Sequence, residues 1–363
     1  MNIAIVTVYD GLNYGSFLQA YAMNKFLEGY GYNVYFIQRI SEQENLKSFT
    51  TNRLSNNCGL IRKIWRTIKN IPNYSKISNQ IISVGKQFPY FQEAWKELKI
   101  IQKENIDNID CIVCGSDEIW NLNNAYIDTE FYTCSNFAYN IRKTAVAVSI
   151  GNTTEEQVLN NTTFIKAVNQ FESILVRDLQ TQNVISKVIN KKIDIVCDPT
   201  LLIKKEFFLK DTTPIITGKY ILVYAYTITD EQEKVLIEYS KKHTLKIISP
   251  CNYLKIADEV VYINPLDFAN LMYNAVCCFT STFHGAIFSL LFAKRVCIYP
   301  KLPKILDVVK NLKAMDHVWS DNDLISFEKI ISRNIQHDKI DNAIQNMREK
   351  STGTILANLN NCM

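Results

Sequence analysis

The chain has 363 residues, of which 47% are hydrophobic and 21% charged, with a formal net charge of +4. That balance excludes a disordered chain, and 11 Gly with 8 Pro exclude a collagen-like or low-complexity one. The small positive charge is too weak an argument for nucleic acid, so no nucleic-acid partner is expected.

Asn2 to Val8 reads as a buried strand, and Ser16 to Leu27 as a helix ended by Gly29 and Gly31. Asn33 to Arg39 is the next strand, which closes a βαβ unit and implies a parallel sheet. Residues 41–100 are polar and rich in Asn, Ser and Lys, and are expected to form an insertion or lid. Inside it, Leu60 to Lys69 carries Leu60, Ile61, Ile64, Trp65 and Ile68 on one helical face and a basic opposite face. Such a helix suits a peripheral contact with an anionic membrane, or packing on its own domain.

Strands follow at Ile109 to Cys114, Lys143 to Ile150, Ser173 to Val176 and Lys192 to Val196, with helices at Glu155 to Phe171 and Leu179 to Ile189. A second alternation begins near Lys219. It places strands at Tyr220 to Tyr226, Lys246 to Ser249, Val276 to Thr280 and Arg295 to Tyr299, with helices at Asp230 to His243, Pro265 to Asn274 and Gly285 to Ala293. The expected fold is α/β, with two doubly wound Rossmann-like domains facing a cleft. Residues 1–205 form the acceptor-side domain, 215–345 the donor-side domain and 346–363 a tail. The longest apolar runs fall short of a membrane span, and no basic stretch precedes the first one, so a cytoplasmic protein is expected, at most peripheral to the inner membrane face.

Ligands of such sheets sit beyond the carboxyl ends of the strands, and the chemistry-bearing residues cluster there. Asp10 to Ser16, with Asn13, Tyr14 and Gly15, joins a strand to a helix start that suits an anionic or hydroxyl-rich ligand. No G-x-G-x-x-G pattern is present, so NAD is not expected. Ser116, Asp117 and Trp120 offer a hydroxyl, a carboxylate and an aromatic face for a sugar; the plain alternative is an Asp cap with Trp120 in the core. Arg177 closes a strand and can grip a phosphate or carboxylate, or pair with Asp178. Asp198, before Pro199, reads as a turn cap. Ser281, Thr282, His284 and Gly285 open an apolar helix, where His284 suits a general acid/base or a phosphate ligand. Cys111-x-x-Cys114 lies within a strand that points its two thiols to opposite faces, so no metal site is expected there or elsewhere.

Taken in order, five motifs resemble the polysaccharide pyruvyl transferase family. They are Asn13-Tyr14-Gly15 with Leu18 to Ala22, Gly115-Ser116-Asp117 with Trp120-Asn121, Val176-Arg177-Asp178, Asp198 to Leu202, and Ser281 to Gly285 with Phe288-Ser289. The resemblance implies a GT-B-like fold and transfer of pyruvate from phosphoenolpyruvate to a saccharide, which a lipid carrier can present, forming a ketal in bacterial surface polysaccharide. It implies catalytic roles for His284, Arg177 and Asp117, with no cofactor beyond the donor substrate. The donor would meet Arg177, Ser281, Thr282, His284 and Gly285; the acceptor would meet Asp10, Asn13, Tyr14, Gly15, Ser116, Asp117 and Trp120. Some relatives carry Arg two residues before this His. Thr282 stands there in this chain, so Lys294 or Arg295 is expected to supply the second donor cation. Two alternatives remain at this stage: a GT-B glycosyltransferase using a nucleotide sugar, and a non-catalytic glycan-assembly subunit.

Overall fold

The computed structural model describes residues 1–42, 44, 45, 71–135, 137, 141–250 and 253–360. The chain divides into two compact units. The first comprises Met1–Arg39, Trp95–Lys204 and Ile344–Met363, and the second Ile40–Ala94 and Lys205–Ala343. This differs from the expected division at both ends. The 41–100 segment holds a 25-residue helix grouped with the second unit up to Ala94, and the expected C-terminal tail is helical and grouped with the first. The amphipathic stretch Leu60 to Lys69 lies outside the described residues.

The first unit is built on a seven-stranded sheet in the order β3-β2-β1-β4-β5-β6-β7, parallel throughout. Its strands are β1 (Asn2–Val6), β2 (Asn33–Ile37), β3 (Ile100–Ile101), β4 (Cys111–Cys114), β5 (Arg142–Val148), β6 (Ser173–Val176) and β7 (Ile193–Ile195). A parallel sheet covered on both faces buries both sides of each strand, which is why Ile3 to Val6 and Cys111 to Cys114 are continuous apolar runs without exposure. Helix α1 (Tyr14–Gly29) connects β1 to β2. The helix expected over Glu155 to Phe171 is two, α3 (Glu155–Leu159) and α4 (Thr162–Val168). The capping Asn161 between them takes the Phe164 N–H on its own side chain. Helix α5 (Leu179–Ile185) leads from β6 to β7, capped by Asp178.

The second unit carries a five-stranded parallel sheet in the order β10-β9-β8-β11-β12. The strands are β8 (Tyr220–Tyr224), β9 (Lys246–Pro250), β10 (Glu259–Val261), β11 (Cys277–Thr280) and β12 (Val296–Ile298). Helix α2 (Ile71–Trp95), up to its last residue, belongs to this unit. Helix α6 (Asp230–His243) has matched ends. Thr229 and Gln232 form a capping box, Asp230, Glu231 and Glu233 fill the first turn, and Lys241, Lys242 and His243 the last, as the helix dipole favours. Helices α7 (Phe268–Asn274), α8 (Phe283–Phe292), α9 (Pro303–Asn311) and α10 (Leu324–Ile331) complete it, with Trp319 stacked edge-on among Phe279, Phe327 and Tyr299.

Helix α11 (His337–Asn360) closes the chain. In the first unit its Arg348 donates to the carbonyls of Leu201 (2.9 Å) and Ile203 (2.7 Å), and the Ser351 hydroxyl accepts from the Cys197 N–H at 2.9 Å. These contacts satisfy backbone groups that follow β7 and have no sheet partner.

Candidate functional site

Each sheet has one topological switch point, where the strand order reverses: between β1 and β4 in the first unit, and between β8 and β11 in the second. Open parallel sheets bind ligands there, because the loops on either side diverge and leave a crevice. Asn13 to Ser16 and Gly115 to Asp117 fall at the first and Ser281 to Gly285 at the second, while Arg177 and Asp198 close β6 and β7 farther along the first sheet.

In the first unit the loops after β1 and β4 are tied by a buried polar network. Gln19 of α1 donates to the Thr7 hydroxyl (2.9 Å) and to the Ser16 carbonyl (2.8 Å), and accepts from the Ser116 N–H at 3.3 Å. Thr7 in turn donates to the Ser116 carbonyl at 3.1 Å. The Ser16 hydroxyl donates to Asp117 Oδ2 at 2.9 Å, while Asp117 Oδ1 accepts from the Glu118 N–H at 2.9 Å. Asp117 sits at φ +77, in the left-handed region that side chains rarely adopt, so the network holds it in a costly conformation.

Arg177, at the end of β6, lies between two carboxylates. Its Nη1 is 2.9 Å from Asp198 Oδ2 and its Nη2 is 3.6 Å from Asp117 Oδ1. Its side chain is only 3% exposed. Burial works against the guanidinium charge, but Asp198 and then Asp117 outweigh it and raise the Arg177 pKa above its ordinary value. The pairing with Asp178 considered from sequence does not occur, because Asp178 caps α5 through the Thr181 N–H and hydroxyl, both at 2.8 Å. Asp198 does two things at once: Oδ1 caps the turn through the Thr200 N–H and hydroxyl, and Oδ2 holds Arg177. Its ion pair was missed in sequence, and the available signal was that β6 and β7 are neighbours, so the residues closing them meet.

The residues expected to face an acceptor divide sharply. Trp120 is a correction, since it is fully buried. Its ring packs edge-on against Phe164 and Phe171, and its N–H donates to the Tyr132 carbonyl at 3.1 Å, so it offers no face to a sugar. Ser116 and Tyr14 are also fully buried. Asn13 caps α1, accepting from the N–H groups of Gly15 (2.9 Å) and Ser16 (3.4 Å), so the helix-start donors expected for a ligand are already occupied. Asp117 keeps a side chain 19% exposed, and Asp10 one 11% exposed. Burial pushes the Asp10 pKa up, against the pull of Arg39 Nη2 at 3.9 Å. Of these residues, Asp117 and Asp10 are the carboxylates that keep some exposure.

In the second unit the loop after β11 is fixed by hydroxyls. Thr280 donates to the Tyr224 carbonyl at 2.8 Å, linking β11 to β8. Thr282 caps α8, accepting from the Gly285 N–H at 3.0 Å. A Cβ on Gly285 would collide with the Thr280 and Thr282 hydroxyl oxygens and come within 2.8 Å of Tyr224 Cδ1, so only glycine fits. The Ser289 hydroxyl donates to the Gly285 carbonyl one turn on. His284 is thus set in the first turn of α8, 6% exposed, with its ring edge-on to Phe283 at 5.2 Å between centroids. An imidazole here can hold or release a proton toward a ligand at the switch point.

Lys294 is a second correction. It follows α8 and precedes β12, so a ten-residue helix, about 15 Å long, separates it from Ser281 to Gly285. With Lys219, His243, Arg295 and Glu328 it lines a groove of about 870 Å³ at the amino ends of the strands. Helices α6, α8 and α10 all finish on that side, and cations there offset their dipoles. At the carboxyl end sequence reasoning missed Lys301 and Lys304, which follow β12. The signal was available, since both come after the last predicted strand.

A polysaccharide pyruvyl transferase family model matches residues 13–300. No curated protein matches the chain. Among solved structures it is similar to the UDP-GlcNAc 2-epimerase of Neisseria meningitidis bound to UDP-GlcNAc, at 13% identity and TM-score 0.52, covering 99% of both chains. It is similar to a UDP-N-acetylglucosamine 2-epimerase from Rickettsia bellii, at 10% identity and TM-score 0.51, covering 98% of this chain and 96% of that one. A trehalose-6-phosphate structure from E. coli, bound with UDP-2-fluoro glucose, aligns at 8% identity and TM-score 0.51, covering 98% of both. At these identities the likeness concerns fold, the two-sheet GT-B class.

Proposed function

The chain belongs to the polysaccharide pyruvyl transferase family, and from that premise we propose that it transfers pyruvate from phosphoenolpyruvate to two hydroxyls of a saccharide, forming a cyclic ketal. Pyruvyl transfer onto polysaccharide is the family's activity; the donor, the ketal and the residue roles are our reading. The observation that carries it is the match over residues 13–300, which takes in both switch-point motifs. No helix among the described residues is long and apolar enough to cross a membrane. A lipid-carried acceptor would then be met at a membrane surface.

The reaction asks for a proton donor first. His284 protonates the methylene carbon of the donor, converting it to a methyl group and leaving an oxocarbenium-like carbon. One sugar hydroxyl adds to that carbon and gives its proton to the phosphate, whose C–O bond breaks to leave a second oxocarbenium-like carbon. The second hydroxyl adds there to close the ring, and its proton returns to His284. Asp117 and Asp10 are the groups suited to orient the hydroxyls, and Arg177 acts by fixing Asp117 between itself and Ser16. That departs from the role expected for Arg177 in holding the donor, because two carboxylates already neutralise it.

The test is thermal stabilisation and phosphate release. Phosphoenolpyruvate is expected to raise the melting temperature of the purified protein, and a suitable saccharide to trigger phosphate release. Stabilisation by nucleotide sugars alone would turn the reading to glycosyl transfer on the same fold. Activity unchanged by His284→Ala and Asp117→Asn would favour a non-catalytic subunit.

A further inference from the structure

We propose that the groove at the amino ends of the second unit's strands is a second anion site, which takes a phosphate ester with a small apolar body. The inference does not depend on the identity of the donor. The groove measures about 870 Å³, and its lining belongs wholly to the second unit. The length of α8, about 15 Å, separates it from His284. Lys219 precedes β8, and Lys294 and Arg295 precede β12. Both strands neighbour β11, so Lys219 and Arg295 reach the groove from the two sides of Val276, the residue before β11. Two strand spacings, about 10 Å, lie between them, a gap that long side chains close around one phosphate.

The positive charge here exceeds what the fold uses. Glu328 is the carboxylate lining the groove, and it is taken by Lys242 at 2.8 Å and by His243 Nε2 at 3.7 Å. Among the described residues, no carboxylate pairs with Lys219, Lys294 or Arg295. The helix ends do not absorb the surplus either. α6 finishes on its own Lys241, Lys242 and His243, and α10 carries Lys329 in its last turn. α8 has no cation in its last turn, and Lys294, two residues beyond it, suffices there. Lys219 and Arg295 remain. Arg295 Nε donates to Asn334 Oδ1 at 3.3 Å, a neutral partner that orients the guanidinium without compensating its charge. The terminal nitrogens are left as the planar fork that matches two phosphate oxygens. Beside this charge, Leu245 and the Tyr239 and His243 rings, 4.3 Å apart, give the ester's apolar body a wall to rest on.

The experiment measures binding of phenyl phosphate and of inorganic phosphate to the full chain by calorimetry. The variants are Arg295→Ala, Arg295→Lys, Asn334→Ala, the pair Lys219→Ala with Lys294→Ala, and His284→Ala. Loss of charge-assisted contacts is expected to weaken phenyl phosphate binding about tenfold or more in Arg295→Ala and in the lysine pair. Arg295→Lys, which keeps the charge without the fork, is expected to recover part of the affinity. Asn334→Ala is expected to lose a smaller part, and His284→Ala, at the other end of the sheet, to match the wild type. Inorganic phosphate, with no apolar body, is expected to bind more weakly than phenyl phosphate. Melting temperatures report on folding, and Arg295→Lys keeps the stem should the alanine variant fold poorly. Sedimentation with phosphatidylglycerol vesicles that Arg295→Ala abolishes would place the phosphate on a lipid headgroup, whereas phenyl phosphate binding without sedimentation would place it on a soluble ester. Phenyl phosphate binding that Arg295→Ala and the lysine pair leave within about twofold of the wild type would overturn the assignment. So would a loss confined to His284→Ala, or a wild type that binds neither probe nor vesicle. Each of these failures leaves the pyruvyl-transfer reading standing.

Discussion

The two switch points occupy the same place in two parallel sheets and are built in opposite ways. At the first, charges hold one another: Arg177 is fixed by Asp198 and Asp117, and Asp117 by Ser16. At the second, hydroxyls and one glycine set the backbone, and the His284 ring meets Phe283 edge-on. The first arrangement spends its charge on structure, while the second sets its helix start with neutral hydroxyls and a glycine. Position in a fold therefore does not settle what a residue does, and the partners of each charge do.

The sharpest way to break this comparison is His284→Ala. Removing the proton donor is expected to lower turnover about 10²- to 10⁴-fold while moving unfolding stability by no more than about 2 kcal/mol. A large loss of stability instead would make His284 a structural residue. Arg177→Ala is expected to do the reverse, leaving two carboxylates facing each other and costing about 3–5 kcal/mol in urea unfolding. If that variant were stable but failed to bind donor, Arg177 would hold the donor after all. Gly285→Ala comes next, since the new methyl group must displace two threonine hydroxyls, at about 1–3 kcal/mol. An unchanged denaturation midpoint would show a looser helix start.

The smallest effect concerns a buried histidine of the second unit. His317 is 2% exposed, and its Nδ1 lies 3.2 Å from the Val296 carbonyl. Burial holds its pKa below the ordinary value, against the pull of Asp316. Below about pH 6.5 the unfolded chain then takes up a proton that the folded one resists, so stability falls as the pH drops through that range. His337 shifts the same way, chiefly by burial, and adds to the trend. His317→Gln is expected to reduce the loss between pH 7.5 and 5.5 in urea titrations. An equal loss in the variant would exclude His317 as a cause.

Much of the fold was legible in the sequence because buried parallel strands are written as unbroken apolar runs. The ten predicted strands are all present, and the two that were missed, Ile100–Ile101 and Glu259–Val261, are short sheet-edge strands. Helix α2 was hidden by its Asn, Ser and Lys content, although Val84, Phe88, Phe91 and Trp95 recur at helical spacing and are buried. The site was less legible than the fold. Sequence neighbours suggested a sugar platform at Asp117 and Trp120, but the turn that exposes one sends the other into the core. Arg177 was rightly placed at a strand mouth, yet its partner came from a strand end 21 residues later. Periodicity does not reveal which loops a sheet brings together.

The first unit is discontinuous in the chain, and its last piece is the end of α11, where Arg348 and Ser351 satisfy the backbone at Cys197, Leu201 and Ile203. During synthesis those groups must wait for residues made some 150 positions later. The sheet is thus clasped only by a helix made well after its last strand. The second unit waits in the same way, since its Ile40–Ala94 piece meets Lys205–Ala343 only after the first unit's sheet strands have been made.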